Sequence, residues 1–207
     1  IHGLLALYEA TFEPAWLEAA RTTADQMVQL FADDAGAGFF YAGTDGEALI
    51  ARTRDIEDHP TPGGNSQAAL VLLRLAALTG DGALTTRATA ALGLVAGEMT
   101  RYPQAFGTAL VALDLATAPD RVEVAIVGPL DAPETTALLD VARAAAGPHT
   151  TIAVGDPNDA AAVSAAALLA DRPTVHGTAA AYVCRNFACD APTTDSASLE
   201  AALTSPG

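Results

Sequence analysis

A chain of 207 residues, 51% of them hydrophobic and only 5% aromatic, is long enough to bury one or two cores. Its 25 acidic residues face 10 basic ones, all of them arginine, for a formal net charge of −15. Such a surface repels phosphate backbones and anionic bilayers, which argues against nucleic acid and membranes as partners. The acidity and the lack of lysine fit either a high-salt cytoplasm or a GC-rich genome. No apolar run reaches the ~18 residues of a spanning helix, and Ile1 is not preceded by the basic stretch of a signal peptide. Two cysteines are too few for a disulfide-rich secreted scaffold, so the default location is a reducing cytoplasm.

In chain order, Leu4, Leu5 and Tyr8 follow Ile1 at helical spacing. No cap or turn residue stands before Ile1, so this helix reads as cut and upstream residues are expected. Pro14 suits the first turn of a second helix, whose stripe of Trp16, Leu17, Ala20, Ala24, Met27, Val28 and Phe31 runs to about Ala32. Phe39–Tyr41 and a piece near Ala48–Ala51 predict a small hairpin around the turn at Thr44–Gly46. Arg52–Pro62 is loop. Asn65 or Ser66 is expected to cap a third helix, Gln67–Thr79, which is apolar nearly all round and belongs in an interior layer. Gly80 ends it, and Asp81 caps a fourth helix with the stripe Leu84, Ala88, Leu92, Val95 and Met99. Pro103 opens a fifth, with Phe106, Leu110 and Leu113 on one face. Short connections make successive helices antiparallel, and repeated hairpins predict part of an α/α toroid over residues 1–118.

The texture changes near Ala118–Arg121. Val122–Val127, Thr151–Val154 and Ala179–Cys184 read as strands, with helices over Pro133–Ala146 and Asn158–Ala170 between them. This alternation predicts a small α/β domain over 119–207, built on a parallel sheet with right-handed crossovers. Asp195 and Ser196 precede a last short helix. The turns Gly128-Pro129-Leu130-Asp131 and Gly155-Asp156-Pro157 lack the glycine spacing that cradles a pyrophosphate, and no P-loop, zinc-protease or nucleophile-elbow motif occurs. No cofactor is implied.

The segments Trp16-Leu17-Glu18-Ala19-Ala20, Gly38-Phe39-Phe40, Thr61-Pro62-Gly63-Gly64-Asn65-Ser66, Tyr102-Pro103-Gln104-Ala105-Phe106 and Tyr182-Val183-Cys184-Arg185-Asn186-Phe187-Ala188-Cys189 occur in that order. Together they resemble the C-terminal part of the thioredoxin-domain-containing family related to the spermatogenesis-associated thioredoxin-like protein of animals. The resemblance implies an N-terminal thioredoxin-like domain, then a helical barrel similar to six-hairpin glycosidases and N-acylglucosamine 2-epimerases, then an α/β domain. The thioredoxin-like domain and the first hairpins would lie outside this sequence, as partners of it, and the first helix would then expose apolar surface or recruit another chain, a second copy included. Two positions depart from the family's usual pattern: Asp58-His59-Pro60 stands for Asp-Gly-Ala, and Gly63 stands for Ser.

Two candidate sites follow. The loop Asp55–Ser66 leads into a helix N-terminus, where free N–H groups and the dipole attract ligands. Asp55, Asn65 and Ser66 are candidates for sugar binding. Asp58 and His59 are candidates for acid–base chemistry, either glycoside hydrolysis by paired carboxylates or epimerisation by a histidine such as His59 or His2. An acidic loop with an ordinary helix cap accounts for the same residues. Trp16, Phe39, Phe40 and Phe106 can stack on a sugar ring but suit core packing better. The second site is Cys184-x4-Cys189. Two reduced thiols in or under a strand are the default expectation; a disulfide or redox pair is the alternative. Zinc would need two further ligands, with His149 and His176 the nearest, and the spacing fits no known finger, so no metal site is expected. The two functional readings are therefore a sugar-binding or sugar-processing module and a non-catalytic or redox-linked scaffold.

Overall fold

The computed structural model describes residues 1–47, 50–185 and 188–204. It is 55% helical and carries a small mixed sheet. Among the described residues the elements are α1 (His2–Thr11), α2 (Pro14–Phe31), α3 (Gly64–Thr79), α4 (Gly82–Arg101), α5 (Gly107–Thr117), β1 (Val122–Val127), α6 (Pro133–Ala145), β2 (Thr150–Gly155), α7 (Ala160–Ala165), β3 (Ala180–Arg185), β4 (Ala188–Cys189) and α8 (Ser196–Thr204). No helix among them is long and apolar enough to cross a membrane. The chain forms two compact units. One comprises residues 1–2, 19–76 and 81–117; the other comprises 3–18, 77–80 and 118–207.

The first unit is helical. α3 buries Ala69, Leu72 and Leu75 completely, as an apolar helix must. Gly80, at φ +72°, ends it, and the Asp81 carboxylate accepts from the Ala83 N–H to start α4. Ala88, Ala91, Leu92, Val95 and Met99 form the buried stripe of α4. Two expectations change here. Pro103–Ala105 is a 3-10 turn, and α5 starts at Gly107. The buried face of α5 is Ala109 and Ala112, while Leu110 is exposed and, with Leu113, lines an apolar groove of about 530 Å³ beside α4. Alanines allow close helix approach, so the small residues pack and the large ones border the groove.

The expected hairpin at Phe39–Tyr41 is not a regular one. Phe39 makes a single bridge to Ala32, and the Phe40 N–H donates to the Phe31 carbonyl at 2.8 Å, so this segment folds back on the end of α2. The Tyr41 N–H donates to Thr53. Ala48 and Leu49, half of the proposed partner strand, lie outside the described residues.

The second unit is a layered α/β structure with strand order β2-β1-β3-β4. β1 and β2 pair in parallel, with Val122 opposite Thr150 and Val127 opposite Gly155. β3 runs antiparallel to β1, with Glu123 opposite Cys184, so the sheet is mixed rather than parallel. The second connection also differs from the expectation. Instead of a helix over Asn158–Ala170, the chain has the six-residue α7 and a 3-10 turn at Ala167–Leu169. Without a crossover helix to carry the chain back to the start of the strands, β3 enters beside β1 at the end where β1 and β2 finish, and runs antiparallel to both.

α6 and α8 cover one face of this sheet, where the Arg185 guanidinium donates to the Ala202 carbonyl at 2.6 Å. The α7 segment covers the other: a Cβ on Gly155 would lie 2.9 Å from Leu169 Cδ1 and 3.0 Å from Ala162 Cβ. Between these layers Val124, Ala125, Ile126 and Val127 have no exposure. Within the same unit Arg143 of α6 donates to the Glu9 and Ala10 carbonyls at the end of α1 and stacks on Phe12. A cation there offsets the negative end of the helix.

Candidate functional site

The loop from Asp55 to Ser66 is held by its own polar side chains. Asn65, expected as a cap, lies inside α3, which begins at Gly64. Its amide is 4% exposed. Its oxygen accepts from the Phe39 N–H at 2.7 Å, and its two N–H groups donate to the Phe39 and Asp55 carbonyls, each at 2.9 Å. This clamp requires Gly38. At φ +81° a side chain there is strained, and a Cβ would sit 2.5 Å from Asn65 Oδ1 and 2.4 Å from Leu94 Cδ1.

Asp58 is equally committed. One carboxylate oxygen accepts from the Gly63 N–H at 2.7 Å, and the other from the Thr108 and Ala109 N–H groups at 2.6 and 3.3 Å. The Asp58 N–H donates to the Ala105 carbonyl at 2.8 Å. Asp58 thus caps α5 across a separation of 50 residues and fixes the tight loop to it. Gly63 has to be small, because a Cβ would lie 2.5 Å from the Glu57 carbonyl oxygen.

The remaining loop residues do not converge on one point. His59 is exposed. Ser66 is buried, and its hydroxyl has no hydrogen-bond partner among the described residues. Asp55 and Asn65 border a cavity of about 280 Å³ lined by Met27, Phe31, Phe39 and Phe40. Arg52 and Arg54 stack on the Phe40 ring at 4.2 and 4.7 Å, and Arg54 also pairs with Asp33. Phe106 is 1% exposed and packs in the core.

Cys184 and Cys189 are directly opposite on β3 and β4 and are joined in a disulfide, so neither is a reduced thiol. Their Cα atoms are 3.9 Å apart, closer than the ~4.4–6.8 Å usual for a bridge, because the two residues are directly paired on adjacent strands with only four residues between them in sequence. Cys184 is 1% exposed, whereas Cys189 is exposed. Asn186 and Phe187 of this motif lie outside the described residues.

The structure adds two residues to this pair. Arg172 Nη2 lies 3.5 Å from each sulfur, and its guanidinium also lies 5.8 Å from the centre of the Tyr182 ring. Glu123 stands beside Cys184 across β1 and β3. Burial raises its carboxyl above the ordinary carboxylate range, against the lowering pull of Arg121 and Arg172. Glu123 had a visible signal, as the one charge inside the apolar run Val122–Val127. Arg172, in the turn-rich stretch before β3, had none.

No family model matches the chain. The chain is 32% identical over 205 residues to spermatogenesis-associated protein 20 of Homo sapiens. It is 32% and 31% identical to the proteins of the same name from Rattus norvegicus and Mus musculus. Each alignment covers 98% of this chain and 26% of the relative, so the chain spans about a quarter of the length of the curated relatives it matches. In sequence, from the Trp16 segment to the Cys184–Cys189 motif, this chain resembles the C-terminal part of spermatogenesis-associated protein 20.

Proposed function

We propose that this chain is a redox-linked scaffold module, using the Cys184–Cys189 bridge, within a longer thioredoxin-domain-containing protein of the cytoplasm. In this reading residues 1–118 supply the last hairpins of an α/α toroid and residues 119–207 its α/β domain. Its partners are the thioredoxin-like domain, the earlier hairpins and a second copy of the chain. The observation that carries it is the use made of the loop's polar groups: the Asp58 carboxylate and the Asn65 amide bind backbone groups, while the Cys184–Cys189 cystine has one exposed residue, Cys189.

A second reading has one observation in its favour. The cavity of about 280 Å³ joins aromatic walls to Asp55, a combination that suits a sugar ring. A thermal-shift series separates the two, since a ligand of the native state raises the melting temperature by mass action. The scaffold reading expects no shift with mono- or disaccharides and a lower melting temperature after reduction. A sugar-specific shift that Asp55→Ala abolishes would replace it with the carbohydrate reading.

A further inference from the structure

We propose that Cys184, Cys189, Arg172 and Glu123 form a thiol–disulfide exchange site whose substrate is a dithiol. The inference rests on the redox-linked reading and gives it a chemistry.

The row Glu123, Cys184, Cys189 crosses three strands at one level, since Glu123 pairs with Cys184 and Cys184 with Cys189. Directly opposed residues project from the same face of a sheet. Arg172 reaches that face from the segment before β3 and meets both sulfurs. The charged groups bearing on Glu123 are Arg121, two residues before it, and Arg172; β2 places Thr151 beside it, and β3 places Cys184. A buried cysteine, an exposed cysteine, a cation within reach of both sulfurs and a carboxyl beside the buried one are the parts that exchange needs.

The step is directional because Cys189 is exposed and Cys184 is buried. A thiolate of the dithiol attacks Cys189 Sγ. The Cys184–Cys189 bond breaks as the new sulfur–sulfur bond forms, and its electron pair goes to Cys184 Sγ beside the Arg172 guanidinium. Glu123 gives that thiolate a proton and recovers one from water. The donor's second thiolate then attacks the donor sulfur bound to Cys189 and releases Cys189 as a thiolate, which takes a proton from water. Two electrons pass from the dithiol, which leaves as a disulfide, to the cystine, which becomes two thiols. A monothiol fails at the second stage. Cys184, held directly opposite Cys189, loses its proton to water, attacks Cys189 Sγ and expels the monothiol faster than a second external thiol arrives.

The test uses the oxidised 207-residue chain, with thiols counted by alkylation and intact mass. Dithiothreitol should reduce the bridge without denaturant, and glutathione at equal thiol concentration should leave it closed. Arg172→Gln should slow reduction about tenfold, through the poorer leaving sulfur. Glu123→Gln should slow it and flatten its dependence on pH, while both variants keep the wild-type circular dichroism. In Cys184→Ser, Cys189 should form a mixed disulfide with a chromogenic aromatic disulfide. In Cys189→Ser, Cys184 should not. Two free thiols before any reductant would overturn the redox-linked reading and this proposal together. A bridge that is present but opens only in denaturant would overturn the proposal alone. So would variants of Arg172 and Glu123 that react at the wild-type rate and pH profile.

Discussion

The loop around Asn65 and the edge around Cys189 carry the chemistry-bearing residues of this chain, and they use them in opposite ways. In the loop, polar side chains close on backbone groups. Asn65 holds Phe39 and Asp55, and Asp58 holds Gly63, Thr108 and Ala109. At the sheet edge the exposed Cys189 and the Arg172 guanidinium meet at 3.5 Å, while the same guanidinium also donates to the Ala170 carbonyl. A carboxylate or amide is therefore not evidence of a site until its hydrogen-bond capacity has been followed to its ends. Asn65 and Asp58 have little capacity left, and the edge keeps a breakable bond.

The largest effect that would test this contrast comes from Asn65→Ala. It strands the Phe39 N–H and two carbonyls in a buried place, and we expect a loss of about 3 kcal/mol in urea unfolding. A loss under about 0.5 kcal/mol would show that the clamp is dispensable and return Asn65 to the ligand-binding candidates. Asp58→Ala should cost about 2 kcal/mol by uncapping α5 and freeing the loop. Asp58→Asn should cost less, because one oxygen still accepts; equal losses would mean that the charge, not the capping, matters.

At the edge, Cys184→Ser with Cys189→Ser opens a short loop and should lower stability by about 2 kcal/mol, with reduction of the wild type giving the same loss. No loss would leave the bridge with chemistry and no structural part.

Glu123 gives a smaller effect that depends on pH. Its carboxyl is raised from the ordinary 4.5 in the folded chain, chiefly by burial. The native state therefore holds the proton after the unfolded chain has released it. The stability this contributes is fully present below the unfolded value and is lost as pH rises through the folded one. Glu123→Gln removes that dependence, so its urea midpoint should gain on the wild type as pH rises across this window. A constant difference would place Glu123 in the same surroundings in both states. The smallest effect belongs to Ser66→Ala, expected within about 0.5 kcal/mol, since its buried hydroxyl has no hydrogen-bond partner among the described residues to lose.

Much of the chain was legible from local rules. Pro14 in the first turn, Gly80 as a stop, Asp81 as a cap and the apolar run Val122–Val127 each act within a few residues, and each appears where the pattern predicts it. Other features depend on where distant segments meet. Asn65 reads as a cap from its neighbours, but Phe39, 26 residues away, draws its amide inward. The direction of β3 followed from its pairing with β1 after a connection without a full crossover helix, which alanine-rich sequence does not set. For the candidate site, the two cysteines were visible and their state was not. A bridge requires opposed positions on paired strands, and that is a property of register.

The sequence by itself determined most of the helices, the three main strands, the acidic composition and the likeness that runs through its motifs, because periodicity, caps and turns are local. Only the tertiary structure decided that Asp58 caps a helix 50 residues away, that Cys184 and Cys189 are joined, and that Arg172 and Glu123 stand beside them. Hydrogen-bond partners and strand register are contacts across sequence distance, fixed when the packed layers exclude the alternatives.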